Sequence, residues 1–486
     1  MTARRPADPA VTLPAEATSA AGPRDSGLRR VLTTRSAVAL YVSSVLGVSI
    51  LVVPGLAAQI AGPASLLAWA FLGVVSIAFA FTFAGLSIRR PEAGGVYGFA
   101  REAFGRTGSQ VVGWLFFLWM VTGAPVVALI ASAYLAYAFP LTALEVDLIA
   151  WGVLAAACIV NLRGIVLTGA VQIAIIVAIV GLLAVTLVVA GTHLDPGRFQ
   201  PFFPDGLYPV GTSIALVFWS YLGYENVSNV AEEFERPAAS LRRGVWISLA
   251  VIGSLYFALA VVIIGSGADT AGGGTAPFAA VASLLFGGAG AQVTALLALV
   301  IVFAVVNAYV AGMSRVFFAM ARAGDLPSAL ARLDPRTGAP TRVIGVMLVC
   351  VTVASMAYDL LGLPLSTAFL VTSGAALGVY AIGSAAGLRI FARDRTVHRF
   401  YLGCAGCTLA VSLGILPFVG WPLAITGGLV GVVLLYRALV GFRRRSGTDP
   451  GAPGAGEPPL DSGRDPTPGP GRLQASPASL GRRGRR

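Results

Sequence analysis

The sequence predicts an all-α polytopic membrane protein with about twelve crossings, and three observations carry that expectation. Apolar stretches of spanning length follow one another from residue 36 to residue 440. Arginines collect in alternate connections between them, as the positive-inside rule requires. The first and sixth stretches carry helix-weakening residues at corresponding places. Composition agrees: 56% of residues are hydrophobic and 12% charged, where a soluble domain carries about 25% charge.

Residues 1–33 read as a disordered basic tail, polar and rich in Pro and Ala. The apolar run behind them is too long for the core of a signal peptide. Spans are expected near 36–60, 64–88, 109–138, 146–162, 165–190, 209–231, 244–267, 289–314, 342–360, 366–390, 401–419 and 421–440. Residues 443–486 form an Arg-, Pro- and Gly-rich tail whose composition cannot bury a core, so it too is expected to be disordered.

All 34 basic residues are arginine, and the net charge is +12. One set of loops holds Arg89, Arg90, Arg101 and Arg106, then Arg163, Arg236, Arg242 and Arg243, and later Arg322, Arg332, Arg336, Arg389 and Arg393. The opposite set holds Arg198 beside Asp195, Asp205 and Asp269. Both termini are therefore expected in the cytoplasm, and the chain in the cytoplasmic membrane. The surplus charge reflects topology and contact with inner-leaflet lipid, not nucleic acid. Spans one to five (34–190) and six to ten (209–390) form two repeats, and an odd number of spans inverts one against the other. Helices 11 and 12 (400–440) fall outside the repeat and suit packing or homodimer contacts.

The first span holds Ser44, Val45, Gly47, Val48, Ser49 and Ile50 ahead of Pro54-Gly55. A helix broken there frees N–H groups suited to a carboxylate and carbonyls suited to an ammonium or cation. The sixth span has a matching stretch, Phe218-Trp219-Ser220-Tyr221-Leu222-Gly223-Tyr224-Glu225. Small residues also let membrane helices approach closely, which is the plainer explanation for either stretch alone. Glu225 is the one carboxylate well inside an apolar span; it could brace the break, carry a coupling proton, or do both. Glu232 and Glu233 meet Arg236, Arg242 and Arg243 at the inner end and read as a gate. Asn307 and Tyr309 add polarity to span 8, though Asn307 could equally bond a neighbouring helix.

Cys158, Cys350, Cys404 and Cys407 lie in or beside apolar segments, and Cys404-Ala-Gly-Cys407 reads as packing because no second ligand pair accompanies it. No nucleotide loop, nucleophile elbow or metal cluster is present in the sequence, so no cofactor and no enzymatic activity are expected. A site with opposed backbone charges and Glu225 suits a net-neutral zwitterion. Val45, Leu46, Val48, Phe218, Trp219 and Leu222 would surround its side chain, favouring a small aliphatic or thioether amino acid.

Several motifs resemble the amino acid–polyamine–organocation (APC) superfamily over residues 33–440. Leu46 to Gly55 resembles its unwound first helix, with Ser49 where a second glycine is usual. Pro91-Glu92-Ala93-Gly94-Gly95-Val96-Tyr97 resembles its loop after helix 2. Gly223-Tyr224-Glu225 with Ala231 to Pro237 resembles its helix 6. Gly312-Met313-Ser314-Arg315 with Met320 to Pro327 resembles its helix 8 end, with Ala323 where an aspartate is common. Shorter stretches are similar to bacterial exporters of methionine and branched-chain amino acids. The resemblance implies a LeuT-like 5+5 inverted repeat, alternating access, carboxylate contact from Gly47 to Ile50 and side-chain contact from Trp219. The helix 5 lysine that replaces a sodium ion in some members has no counterpart; residues 165–190 carry only Gln172 as a large polar side chain.

The expected activity is secondary export of methionine, leucine, isoleucine and valine by proton antiport. Uptake of amino acids or amines, including polyamines, is the second reading, and a non-transporting amino-acid sensor the third. Removal of residues 446–486 is predicted to leave transport in proteoliposomes intact; lost transport with folded protein would give the tail a role.

Overall fold

The computed structural model describes residues 33–89, 95–163, 169–225, 237–270, 274–394 and 399–445. Ser44 and Gln172 are described only as backbone; residues 1–32 and 446–486, Glu232 and Glu233 lie outside the described residues. Arg443, Arg444 and Arg445, expected in the disordered tail, instead continue the last helix. One compact unit runs to Arg437; of the second, from Ala438 on, the described part is the end of the last helix.

Every described element is helical. The order is α1 (Thr34–Val45), α2 (Val53–Ala61), α3 (Ser65–Arg89), α4 (Gly95–Ala138), α5 (Ala143–Leu162), α6 (Gly169–Gly191) and α7 (Tyr208–Val217). Then come α8 (Pro237–Ser266), α9 (Pro277–Arg322), α10 (Thr341–Leu360), α11 (Leu365–Arg393), α12 (Arg399–Val419) and α13 (Leu423–Arg445). Among the described residues, 8 segments are long and apolar enough to cross a membrane. Their outward faces are apolar, with Val74, Val293, Val349 and Val353 all exposed. That surface suits hydrocarbon rather than water.

Two helices run longer than periodicity suggests. The expected span 109–138 is preceded by a helical arm from Gly95, joined through Gly105 at φ 70°. The expected span 289–314 is preceded by a turn-containing arm from Pro277, joined through Gly287 at φ 58°. Both joints use a conformation open to glycine, so chain direction changes without ending the run. Helix α5 starts on a capping box in which Thr142 and Glu145 satisfy each other's backbone amides.

Contacts fall into two groups. Helix α1 packs on α8, and α3 packs on α7 and α8. Helices α4, α5, α9 and α10 pack on one another, with α11 lying against α4, α12 and α3. Small residues set the spacing, as van der Waals contact must in lipid. A Cβ on Gly113 of α4 would come within 2.4 Å of the Met320 methyl of α9. One on Gly55 of α2 would come within 2.3 Å of the Gly274 carbonyl oxygen.

Asp325, just past α9, ties that helix to the arm of α4. Its carboxylate accepts from Tyr97 Oη at 2.6 Å, Gln110 Nε2 at 2.7 Å and Arg106 Nε at 2.9 Å. Its side chain is wholly buried while Arg106 is 40% exposed, so the hydrogen bonds matter more than the ion pair. Burial opposes the charge on Asp325, but the donors Tyr97, Arg106 and Gln110 outweigh it and hold the carboxyl below its ordinary range. A lowered folded value stabilises at every pH above the ordinary carboxylate value of about 3.9 and fails only as pH falls through the folded value. Asp325→Ala is therefore expected to cost about 1–3 kcal/mol by leaving buried donors unpartnered. The loss should be unchanged between neutral pH and about pH 5, read by thermal unfolding in detergent.

Candidate functional site

The first break follows from its residues. Pro54 has no amide hydrogen to give the carbonyl four residues back, and Gly47 costs helix stability. Helix α1 stops at Val45, Gly47 is extended at φ −78° and ψ −176°, and a single 3-10 turn covers Val48–Leu51 before α2 begins. Two carbonyls at the break, one on each side of it, find a tyrosine. Tyr256 of α8 donates to Val45 O at 2.7 Å, and Tyr134 of α4 donates to Leu51 O at 2.6 Å. The amides of Val48 and Ser49 open the 3-10 turn, where a helix supplies no acceptor. Gly47 leaves the approach clear: only Val45 O, at 3.8 Å, lies near the place a Cβ would take.

The second break mirrors it. Helix α7 ends at Val217, a 3-10 turn spans Phe218–Tyr221, and Leu222 is extended. Gly223 then turns the chain at φ 120°, where a side chain would be strained. Glu225 folds back on this turn. Its Oε2 accepts from Gly223 N at 3.0 Å and from Tyr380 Oη of α11 at 2.5 Å. The Gly223 amide also reaches Tyr380 Oη at 3.3 Å. Tyr380 is wedged edge-on among Phe79, Phe83 and Phe218. Glu225 is thus a brace, 5% exposed and held by named donors.

The two 3-10 turns touch, and the first also touches α4 and α9. Val45, Val48, Ser49, Ile50, Phe218, Trp219, Ser220 and Leu222 are all buried there. The Ser220 hydroxyl is buried without a partner among the described residues. Trp219 and Tyr309 meet at a small cavity with Trp119 and Gly123 of α4 and Val306 of α9. Asn307 turns elsewhere: Asn161 of α5 donates to its Oδ1 at 2.8 Å and to its carbonyl at 3.2 Å. Asn307 therefore joins α5 to α9, the helix-bonding role that its sequence setting also allowed. Sequence reasoning missed Trp119, Gly123, Tyr134, Tyr256 and Tyr380. An aromatic or glycine in an apolar span looks the same whether it packs or serves a break.

Residues 32–446 match the family model for amino acid permeases. The chain is 30% identical to the uncharacterized amino acid permease YecA of Bacillus subtilis (strain 168), over 86% of this chain and 98% of that protein. It is 28% identical to the L-methionine/branched-chain amino acid exporter YjeH of Escherichia coli (strain K12), over 82% of this chain and 93% of that one. It is 26% identical to the branched-chain amino acid permease BcaP of Bacillus subtilis (strain 168), over 65% and 72%.

Removing one donor to Glu225 should matter less than removing the acceptor that serves both. Tyr380→Phe is expected to lower stability by about 0.5–1.5 kcal/mol, and Glu225→Ala by about 1–3 kcal/mol. Thermal unfolding of purified protein gives the order. Equal midpoints for both variants and the unaltered chain would show that the brace carries no stability.

Proposed function

The chain belongs to the amino acid permease family, and from that membership and the paired helix breaks we propose that it exports neutral apolar amino acids. The substrates are methionine, leucine, isoleucine and valine, moved across the cytoplasmic membrane by alternating access in exchange for protons. The observation that carries this reading is the pairing of the two breaks. The amides of Val48 and Ser49, which have no acceptor among the described residues, suit the carboxylate, and carbonyls at the end of α7 suit the ammonium. The walls around them are apolar, so no fixed charge is offered to an arginine or glutamate side chain. Trp219 closes the same space on the side-chain end.

The proposed architecture is a LeuT-like 5+5 inverted repeat of residues 34–190 and 209–390, with two further helices and about twelve crossings in all. The broken helices α1 and α7 and the grouping of α4, α5, α9 and α10 support it. Both termini are proposed to lie in the cytoplasm, because arginine collects in alternate connections of the sequence. Glu225 is the proposed proton carrier. A proton there would convert an acceptor for Gly223 and Tyr380 into a donor and loosen the brace. Direction rests on likeness to the Escherichia coli exporter; likeness to the Bacillus subtilis branched-chain amino acid permease BcaP supports the amino-acid substrate without favouring export, and uptake of amino acids or amines is the second reading.

Counterflow tests the proposal. Proteoliposomes loaded with unlabelled methionine, leucine, arginine or putrescine are given the same compound labelled outside. Exchange of methionine and leucine alone is expected. Exchange of arginine or putrescine would overturn the pocket argument, and silence on all four with folded protein would favour a sensor. Trp219→Ala and Glu225→Gln should each reduce exchange of methionine without loss of folded protein.

A further inference from the structure

We propose that a slot between Trp119 and Trp219, opened by the absence of a side chain at Gly123, receives the far end of the substrate and selects an unbranched thioether. This rests on the amino acid transport reading above and names the residues that set its specificity. The geometry converges on one point. A Cβ on Gly123 would lie 3.5 Å from Trp119 Cδ1, 3.6 Å from Trp219 Cζ2 and 3.0 Å from Thr372 Cγ2. The space of one methyl group therefore separates two indoles.

Each indole is packed against a second ring. Trp119 stacks on Phe116 with ring centroids 5.7 Å apart and planes 10° from parallel. Trp219 meets Phe369 edge-on at 4.2 Å. Thr372 is pinned, because its hydroxyl bonds Thr122 Oγ1 and Ala368 O, both at 3.2 Å. Its methyl thus stays against Gly123.

A second observation points to a ligand. Trp119 Nε1 is buried and has no partner among the described residues. The Trp119 atom nearest a Cβ on Gly123 is Cδ1, which is bonded to Nε1, so the N–H donor lies one bond from the slot's edge. Leaving such a donor unpaired is costly unless something fills the place. Met120, Ala124, Val127 and Val306 are apolar, and beyond the indoles the Tyr309 phenol is the one further polar group, so the lining carries no charge to pair with a charged side chain. A thioether sulfur fits all of this. It is polarizable, prefers aromatic edges, and accepts weakly from N–H. It also sits at the end of a thin chain, whereas valine and isoleucine place their bulk next to the backbone. In this conformation the cavity has room for about one water molecule, so an entering side chain must part the indoles.

The test compares methionine, its sulfur-free analogue norleucine, and valine as competitors in methionine counterflow. The chains are the unaltered protein, Gly123→Ala and Trp119→Phe. The unaltered protein should prefer methionine to norleucine by about twofold to tenfold, the range of sulfur–aromatic contacts. Gly123→Ala should weaken methionine and norleucine several-fold while valine changes little. Trp119→Phe keeps an aromatic ring but removes the donor, and should reduce the preference for methionine over norleucine. An unchanged preference in Trp119→Phe would overturn the proposal, and that variant decides if Gly123→Ala fails to fold. Equal weakening of all three compounds in folded Gly123→Ala would also overturn it. Failure of the unaltered protein to exchange any of them would instead overturn the transport reading.

Discussion

Hydrocarbon offers nothing to a loose peptide group, so each break in a membrane helix has to be paid for by side chains nearby. That constraint organises this protein. Val45 O and Leu51 O are each held by a tyrosine from another helix. Gly223 N is held by Glu225, which is held in turn by Tyr380. What stays unclaimed is then informative. The amides that open the Val48–Leu51 turn have no helical acceptor, and they lie where the two breaks touch. Open amides at a break, with no acceptor among the described residues, are the feature on which the proposed carboxylate site rests.

The supports also differ in where they come from. Tyr256 belongs to α8, which packs with α1, so the Val45 bond lies within one group of helices. Tyr134 belongs to α4, which packs with α5, α9 and α10, so the Leu51 bond crosses to the other group. Movement of one group against the other would keep the first bond and change the second. The far side of α2 is equally close-set, since Gly55 and the Gly274 carbonyl leave no space for a Cβ between them. Backbone contacts that tight are made or broken as units rather than stretched.

Much of this was legible in the sequence, and the rest was hidden for identifiable reasons. Hydropathy and arginine placement located the helices, since a span needs length and apolarity and little else. Gly47 and Pro54 announced the first break, and Gly223 with Glu225 the second, because those residue types act on the backbone locally. The tyrosines that hold the breaks announced nothing. Tyr134, Tyr256 and Tyr380 sit in apolar runs where a packing aromatic would look identical, and their partners lie 83, 211 and 155 residues away in sequence. Asn307 shows the same limit, since its bond to Asn161 spans 146 residues. The kinks at Gly105 and Gly287 were missed because glycine interrupts φ without interrupting hydrophobicity.

The central claim is that backbone groups at the two breaks hold the substrate's carboxylate and ammonium. The direct measurement is thermal stabilisation of the purified protein by methionine, set against methioninol, which lacks the carboxylate, and N-acetylmethionine, which lacks the ammonium. Ligand bound to the folded state raises the unfolding midpoint with concentration. The account predicts that methionine raises it and that neither analogue does at matched concentration. Equal stabilisation by methioninol would contradict the account, because the side chain alone would then be doing the binding.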